Sequence, residues 1–355
     1  MELKLVDLLK KTLDLGGSDL FFVPGSKPVA KVSGQLVPLA EERLLPPAVN
    51  ALIDETYELA AGRSRKVLEN EGDDDFSFSL QRLCRFRCNV YRQRGTLAAT
   101  YRVVALGLPN PQELHIPDVV MDLADFHSGM VLVTGSAGSG KSTTLACLID
   151  RINNSRCGHI ITIEDPIEYL HAHRMSLVSQ REISSDCPSF HRALRAALRQ
   201  APDVIMVGEM RDSETIQVAL TAAETGHLVM SSLHTIGAAK TIDRILDAFP
   251  AEQQQQVRVQ LSMVLRAVVS QRLVPCRDGS LMPVFEVMTV NSAVQNLIRD
   301  GKTHQIDNVI YGGMADRSML SMDNELLRLY KARLITPEVA AMYAINPDAL
   351  KKRML

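Results

Sequence analysis

The residues Gly135-Ser136-Ala137-Gly138-Ser139-Gly140-Lys141-Ser142 have types and spacing suited to one chemistry, the cradling of nucleotide phosphates, because they fit G-x-x-x-x-G-K-[ST]. Glycines at 135, 138 and 140 permit backbone angles closed to other residues, so successive N–H groups can converge on an anion. The candidate ligands are the stretch Ser136, Ala137, Gly138, Ser139 and Gly140, followed by Lys141, Ser142 and Thr143. Lys141 is placed to reach the β- and γ-phosphates, and the Ser142 hydroxyl to ligate Mg²⁺. A bland alternative, a flexible serine-glycine loop, fails on context. Met130–Thr134 is apolar and β-branched, as a buried strand is, and the run from Ser142 to Ile149 reads as the first turns of a helix.

Three further segments end in groups of the same usefulness. Ile160–Ile163 is strand-like and runs into Glu164, Asp165 and Glu168, three carboxylates of which one could position or deprotonate a water. Asp203–Val207 is apolar and is followed by Gly208-Glu209, a carboxylate on the Mg²⁺ and water side of a phosphate site. An aspartate would be usual at that strand end, so Glu209 suits water activation better than direct metal ligation, although it stays a candidate on the metal side. Leu228–Leu233 is flanked by His227 and His234, whose odd spacing sends them to opposite faces of a strand. His234, after the strand, is the candidate γ-phosphate contact, and His227 is the weaker candidate beside it. In open α/β sheets ligands collect outside the carboxyl ends of the strands, which is where Glu164, Glu209 and His234 fall.

The elements that must hold these groups follow from the rest of the chain. From Met121 onward strands and helices alternate, which implies a parallel sheet covered by helices, with apolar runs at 130–134, 159–163, 203–207, 228–233 and 283–290. Residues 3–15 suit an amphipathic helix stopped at Gly16-Gly17-Ser18. Short strand-like runs follow at 19–23, 29–32 and 35–38, then helical spacing at 46–70. Asp73-Asp74-Asp75 reads as a solvated turn before Phe76–Leu80, and 84–104 as two strands joined at Arg94-Gly95. Pro109, Pro111 and Pro117 mark a linker. The expected division is residues 1–112, a small α+β domain with its linker, and 113–355, an α/β nucleotide-binding domain closed by two or three helices over 322–354. Gln253–Gln256 falls in a helical segment and reads as a solvated face.

Composition narrows the class. The 355 residues suffice for two cores, and 39 basic against 41 acidic residues leave a net charge of −2, which gives no electrostatic case for a nucleic-acid binder. With nine phenylalanines, seven tyrosines and no tryptophan, little is available for base stacking, so a nucleic-acid translocase is disfavoured. No signal peptide and no apolar run of the ~20 residues needed to span a bilayer is present, so no membrane insertion is expected and the protein is expected in the cytoplasm. The six cysteines lack a C-x-x-C pair and read as reduced thiols rather than a zinc site. The N-terminal region carries Arg82, Arg85, Arg87, Arg92, Arg94 and Arg102. Clustered arginines usually form a solvated face, but a triphosphatase also needs positive charge at its transition state, and a finger from elsewhere can supply it.

The four boxes Gly135–Thr144, Thr162–Glu168, Asp203–Glu209 and Thr225–Thr235, in this order, resemble the secretion ATPase superfamily that drives type II secretion, type IV pili and type IV secretion. The resemblance is strongest to the type IV pilus retraction ATPase family (PilT family). It spans almost the whole chain, including Gly17-Ser18-Asp19-Leu20, Lys240–Ile245 and Ala293–Asp300, the last resembling the AIRNLIRE segment tied to retraction. Gln295 stands there in place of arginine and Asp300 in place of glutamate. Ser231-Ser232 replaces a more usual Ala/Ser-Thr pair. The resemblance implies a PAS-like domain before a RecA-like P-loop ATPase domain, nucleotide held between them, and six identical subunits in a ring. It implies ATP and Mg²⁺, hydrolysis coupled to pilus retraction and twitching, and a cytoplasmic motor peripheral at the inner face of the cytoplasmic membrane, acting on a platform protein of the pilus machinery. It carries Lys141, Ser142, Glu164, Glu209, His234 and His227 onto matching positions; which glutamate is the general base stays open. Arg87 and Arg102, fifteen positions apart, match the family's two N-terminal phosphate-contacting arginines. Assembly-type relatives usually carry extra N-terminal domains and a four-cysteine zinc insert. Neither pattern is seen here, which favours retraction over assembly or a type IV secretion or conjugation client.

Overall fold

The computed structural model describes residues 3–80, 84–104, 107–312 and 318–354, so Arg82 lies outside the described residues. The chain divides into two compact units, Met1–Gly107 with Glu168–Leu170, and Leu108–Ile167 with His171–Leu355.

In the first unit the helix α1 (Leu5–Asp14) precedes strands β1 (Gly17–Phe22), β2 (Val29–Val32) and β3 (Gln35–Pro38). Helices α2 (Pro46–Leu59) and α3 (Lys66–Glu71) then lead to β4 (Asp73–Leu80), β5 (Cys84–Gln93) and β6 (Thr96–Val104). The strands form one antiparallel sheet in the order β3-β2-β1-β6-β5-β4. Leucines 5 and 9 of α1 and Leu52 and Ile53 of α2 pack with Leu20, Phe22, Phe86 and Tyr101, so the helices cover one face. Asp73-Asp74-Asp75 is not a solvated turn but the start of β4. Strand alternation turns Asp74 inward, where it is 1% exposed and takes a bidentate pair from Arg63 (Nε 3.0 Å, Nη2 2.8 Å) and the Tyr57 hydroxyl (3.0 Å). Gly17 and Ser18, expected to stop α1, already belong to β1.

The second unit begins with the short helix α4 (Asp118–Met121) and β7 (Gly129–Thr134). Next come α5 (Lys141–Ser155), β8 (His159–Glu164), β9 (Leu177–Glu182), α6 (Phe190–Ala197), β10 (Val204–Val207), α7 (Ser213–Glu224) and β11 (Leu228–Leu233). Helices α8 (Ala238–Asp247) and α9 (Ala251–Val264) precede strands β12 (Leu265–Pro275) and β13 (Leu281–Thr289). Helices α10 (Ser292–Arg299), α11 (Ile306–Gly312), α12 (Met322–Lys331), α13 (Pro337–Tyr343) and α14 (Pro347–Met354) complete it. The sheet order is β13-β12-β7-β11-β10-β8-β9, parallel throughout except for β13 on β12.

Residues of one strand serve both faces in turn. Met130 and Leu132 of β7 pack toward α6–α9, whereas Val131 and Val133 pack against Leu145, Leu148 and Ile149 of α5. The five apolar runs expected as strands are all present. Strands β9 and β12 were not expected; the first is half polar, and the second follows α9 directly, with no turn residue between them. Three helices fill 322–354 as expected and pack on Val274 and Val284 of the β12–β13 hairpin. In α9, Gln253, Gln255 and Gln256 face solvent while Val257 and Leu261 are buried. In α10 it is Val294 and Ile298 that enter the core, while Gln295 is half-buried beside them.

Candidate active site

Because β7, β8, β10, β11 and β12 are parallel, their carboxyl ends share one edge of the sheet. Register pins the alignment there: Ile163 pairs with Val207, Val207 with Ser231, Leu233 with Thr134, and Thr134 with Ser270. The loop at 135–140 leaves β7 at this edge, with its Gly135 N–H donating to Leu233 O (3.2 Å). Gly135 is required for space as well as angle, and Gly140 for angle. At φ +147° a Cβ on Gly135 would stand 2.2 Å from Gln271 O and 2.6 Å from Ser139 Oγ; at φ +88° one on Gly140 would stand 2.8 Å from Gln271 Nε2. Gly140 is the N-cap of α5 and no side chain caps that helix, so its first N–H groups and its positive dipole end serve the loop.

The residues present fit a polyphosphate. Thr134 Oγ1 and Ser139 Oγ are buried at the loop and make no hydrogen bond in the structure, although both could donate. Lys141 is buried, with Nζ donating to Ser136 O (2.9 Å) across the loop. Ser142, on the first turn of α5, is exposed, as are Ser136, Ala137 and Gly138, while Thr143 is half-buried. A hydroxyl beside carboxylates at one sheet edge is a donor set suited to a hard cation such as Mg²⁺. Among the described residues no cluster of His, Cys, Asp and Glu is preassembled to hold a metal.

Glu164 ends β8. It is buried and accepts from Thr162 Oγ1 (2.6 Å) and Gln180 Nε2 (3.2 Å). Glu209 follows β10 and lies between Arg211 and His234: Arg211 Nε contacts Oε1 (2.7 Å) and His234 Nε2 stands 3.5 Å from Oε2. These two side chains border a cavity of about 190 Å³ that also reaches Arg211, Arg244 and Thr235. The Ser231-Ser232 pair holds the ground beneath Glu209, since its hydroxyls donate to Val207 O (2.7 Å) and Gly208 O (2.6 Å) of the neighbouring strand.

The structure places His227 apart from His234. His227 precedes β11 at the opposite edge of the sheet, a six-residue strand or ~20 Å from His234. There its half-buried ring meets Ala222 O (2.9 Å) at the end of α7 and Thr225 Oγ1 (3.2 Å), so it does not reach the loop of its own chain. Sequence reasoning also missed Gln271 and Ser270, because the strand carrying them was missed; the polar pair Ser-Gln closing the apolar run 267–269 was the available signal.

In the first unit Arg87 and Arg102 are direct cross-strand partners on β5 and β6. The Arg94–Gly95 turn, with both residues at positive φ, pairs residues whose numbers sum to 189, and a fifteen-residue separation centred on it is a cross-strand pair. Each guanidinium is paired with an aspartate: Arg87 through both Nε and Nη2 with Asp75, and Arg102 through Nε with the buried Asp19 (2.9 Å). Arg92 lies near the end of β5, with its N–H bonded to Gly72 O, and Arg94 in the turn itself.

The family model of the "Type II/IV secretion system protein" matches residues 90–343. The twitching motility protein of Neisseria gonorrhoeae is 47% identical over 81% of this chain and 76% of its own length. The type IV pilus retraction ATPase PilT of Pseudomonas aeruginosa is 42% identical over 97% of this chain and 99% of its own. A crystal structure of the pilus retraction motor PilT with bound ADP superposes at a TM-score of 0.90 with 44% identity, covering 99% of this chain and 100% of that one.

Proposed function

The chain belongs to the type II/IV secretion system protein family, among its pilus retraction ATPases, and on that premise we propose that it is a motor that couples ATP hydrolysis to withdrawal of a type IV pilus, and so to twitching motility. The observation that carries the reading is that Glu164, Glu209 and His234 end or follow three strands at the sheet edge where the loop leading to Lys141 leaves a fourth.

In hydrolysis water attacks the γ-phosphorus, the bond to the β–γ bridging oxygen breaks, ADP departs and the water's proton passes to a carboxylate. The loop amides from Ser136 to Thr143 bind the phosphates, and Lys141 exchanges its Ser136 carbonyl for β- and γ-phosphate oxygens. Ser142, with Glu209 at the same sheet edge, would hold Mg²⁺, which would supply neutralisation of phosphate charge. Glu164 and Glu209 are the two proton acceptors available. Thr162 and Gln180 orient the first, and Arg211 with His234 orient the second. His234, exposed at the edge, contacts the γ-phosphate and ties its presence to Glu209. Arg87 and Arg102 form a fixed pair of cations for transition-state charge.

The motor works as a homo-hexamer in the cytoplasm, peripheral to the inner face of the membrane, against an inner-membrane platform protein of the pilus machinery. No described helix is long and apolar enough to cross a membrane. The test is a strain whose only copy carries Lys141→Ala, scored for surface pili and twitching. Excess pili without twitching is the expected result. Loss of pili would make this an assembly motor, and an unchanged count would move the client to secretion; either refutes the retraction reading.

A further inference from the structure

We propose that Ser270 and Gln271, consecutive residues of β12, are positioning residues that set the phosphate loop and the His234 turn at a fixed separation. The proposal rests on the reading of 135–142 as the nucleotide site. It concerns two residues of a distant strand, Gln271 lying 127 positions beyond its partner Thr144.

Gln271 backs the loop at three points. Its carbonyl occupies the space a Cβ on Gly135 would need, its side-chain amide does the same at Gly140, and its Oε1 accepts the Thr144 hydroxyl (2.7 Å) on the first turn of α5. Both partners of that hydrogen bond are buried, so water cannot substitute for either. The start of the loop, its end and the helix behind it thus rest on one residue.

Strand alternation sends Ser270 to the other face. Its Oγ accepts Gly237 N–H (2.9 Å), and its direct cross-strand partner Glu286 accepts Ala238 N–H (3.0 Å). Helix α8 has no side-chain cap of its own, so these two strand residues cap it from outside. The segment they anchor runs from His234, and a Thr235–Thr241 hydroxyl contact (2.7 Å) fastens it further. One backbone step of β12 therefore separates the support of the phosphate loop from the support of the γ-phosphate histidine. The loop support governs how tightly nucleotide is held, and the turn support governs where His234 stands during turnover.

The experiment compares full-length Gln271→Leu, Ser270→Ala, Thr144→Val and Thr144→Ser with wild type. It reads affinity for a fluorescent ATP analogue, kcat and KM for MgATP, and melting temperature. Gln271→Leu and Thr144→Val are expected to weaken binding on the order of tenfold, with Thr144→Ser restoring most of the loss. Ser270→Ala is expected to lower kcat on the order of tenfold with affinity unchanged. Wild-type affinity in Gln271→Leu, or one parameter falling alike in all three damaging variants, overturns the proposal. If Gln271→Leu does not fold, the Thr144→Val and Thr144→Ser pair reads the same hydrogen bond. A wild type that does not bind the analogue refutes the nucleotide-site reading itself, which separates that failure from this one.

Discussion

Replacing Glu286 by glutamine tests the buried end of α8 through its pH dependence. Glu286 is 3% exposed, and burial is the largest influence on its carboxyl. The Ala238 N–H opposes that influence, Asp307 and Asp323 reinforce it, and Arg272 opposes it, so the pKa rises from 4.5 to about 7. An acid whose pKa is higher folded than unfolded weakens the fold once it must ionise. The penalty is absent below the unfolded value, grows between 4.5 and 7, and is complete above 7. At 1.36 kcal/mol per unit, its full size is about 3 kcal/mol. Glutamine keeps an acceptor for Ala238 N–H and never ionises. Glu286→Gln should therefore be more stable than wild type by about 3 kcal/mol at pH 8 and by under about 1 kcal/mol at pH 5. Urea titrations followed by circular dichroism at both pH values measure this. An equal difference at the two pH values, or a loss of stability at pH 8, would refute the reasoning.

Gly135→Ala should lower affinity for an ATP analogue by about a hundredfold or more, because a Cβ 2.2 Å from the Gln271 carbonyl oxygen forces main chain to move; binding within threefold of wild type would contradict the packing. Arg63→Ala strands the buried Asp74 carboxylate and should destabilise the first unit by about 3–5 kcal/mol, visible as a lowered melting transition. A loss under about 1 kcal/mol would mean that Asp74 is solvated or repaired by other donors.

The strand, loop and helix around 135–140 were legible because local signals agree there: a β-branched run before the loop, glycines within it and helix formers after it. Glu164, Glu209 and His234 were legible as strand ends for the same reason. What escaped was set by tertiary context. Strand β12 follows α9 at Val264–Leu265 with only a change in backbone angle at Leu265, so no glycine, proline or polar turn announced it, and Ser270 and Gln271 were lost with it. Asp73-Asp74-Asp75 looked solvated because the partner that makes burial tolerable, Arg63, comes from before α3. His227 and His234 were read as pointing to opposite faces of one strand; a strand of six residues also puts its two flanks at opposite edges of the sheet, a separation the spacing did not show.

The tight turn between β5 and β6 works as a ruler for charge placed seven residues away on either side. Arg87 and Arg102 meet because two residues, Arg94 and Gly95, close the hairpin at positive φ. Inserting one residue into either arm would slide its register by a step. The arginine of that arm would then turn to the buried face, and its apolar strand neighbours, Phe86 and Cys88 in β5 or Tyr101 in β6, would face out in its stead. This stretch of surface therefore tolerates a change of residue more readily than a change of length, and chain length in the hairpin is itself a determinant of where the two positive charges stand.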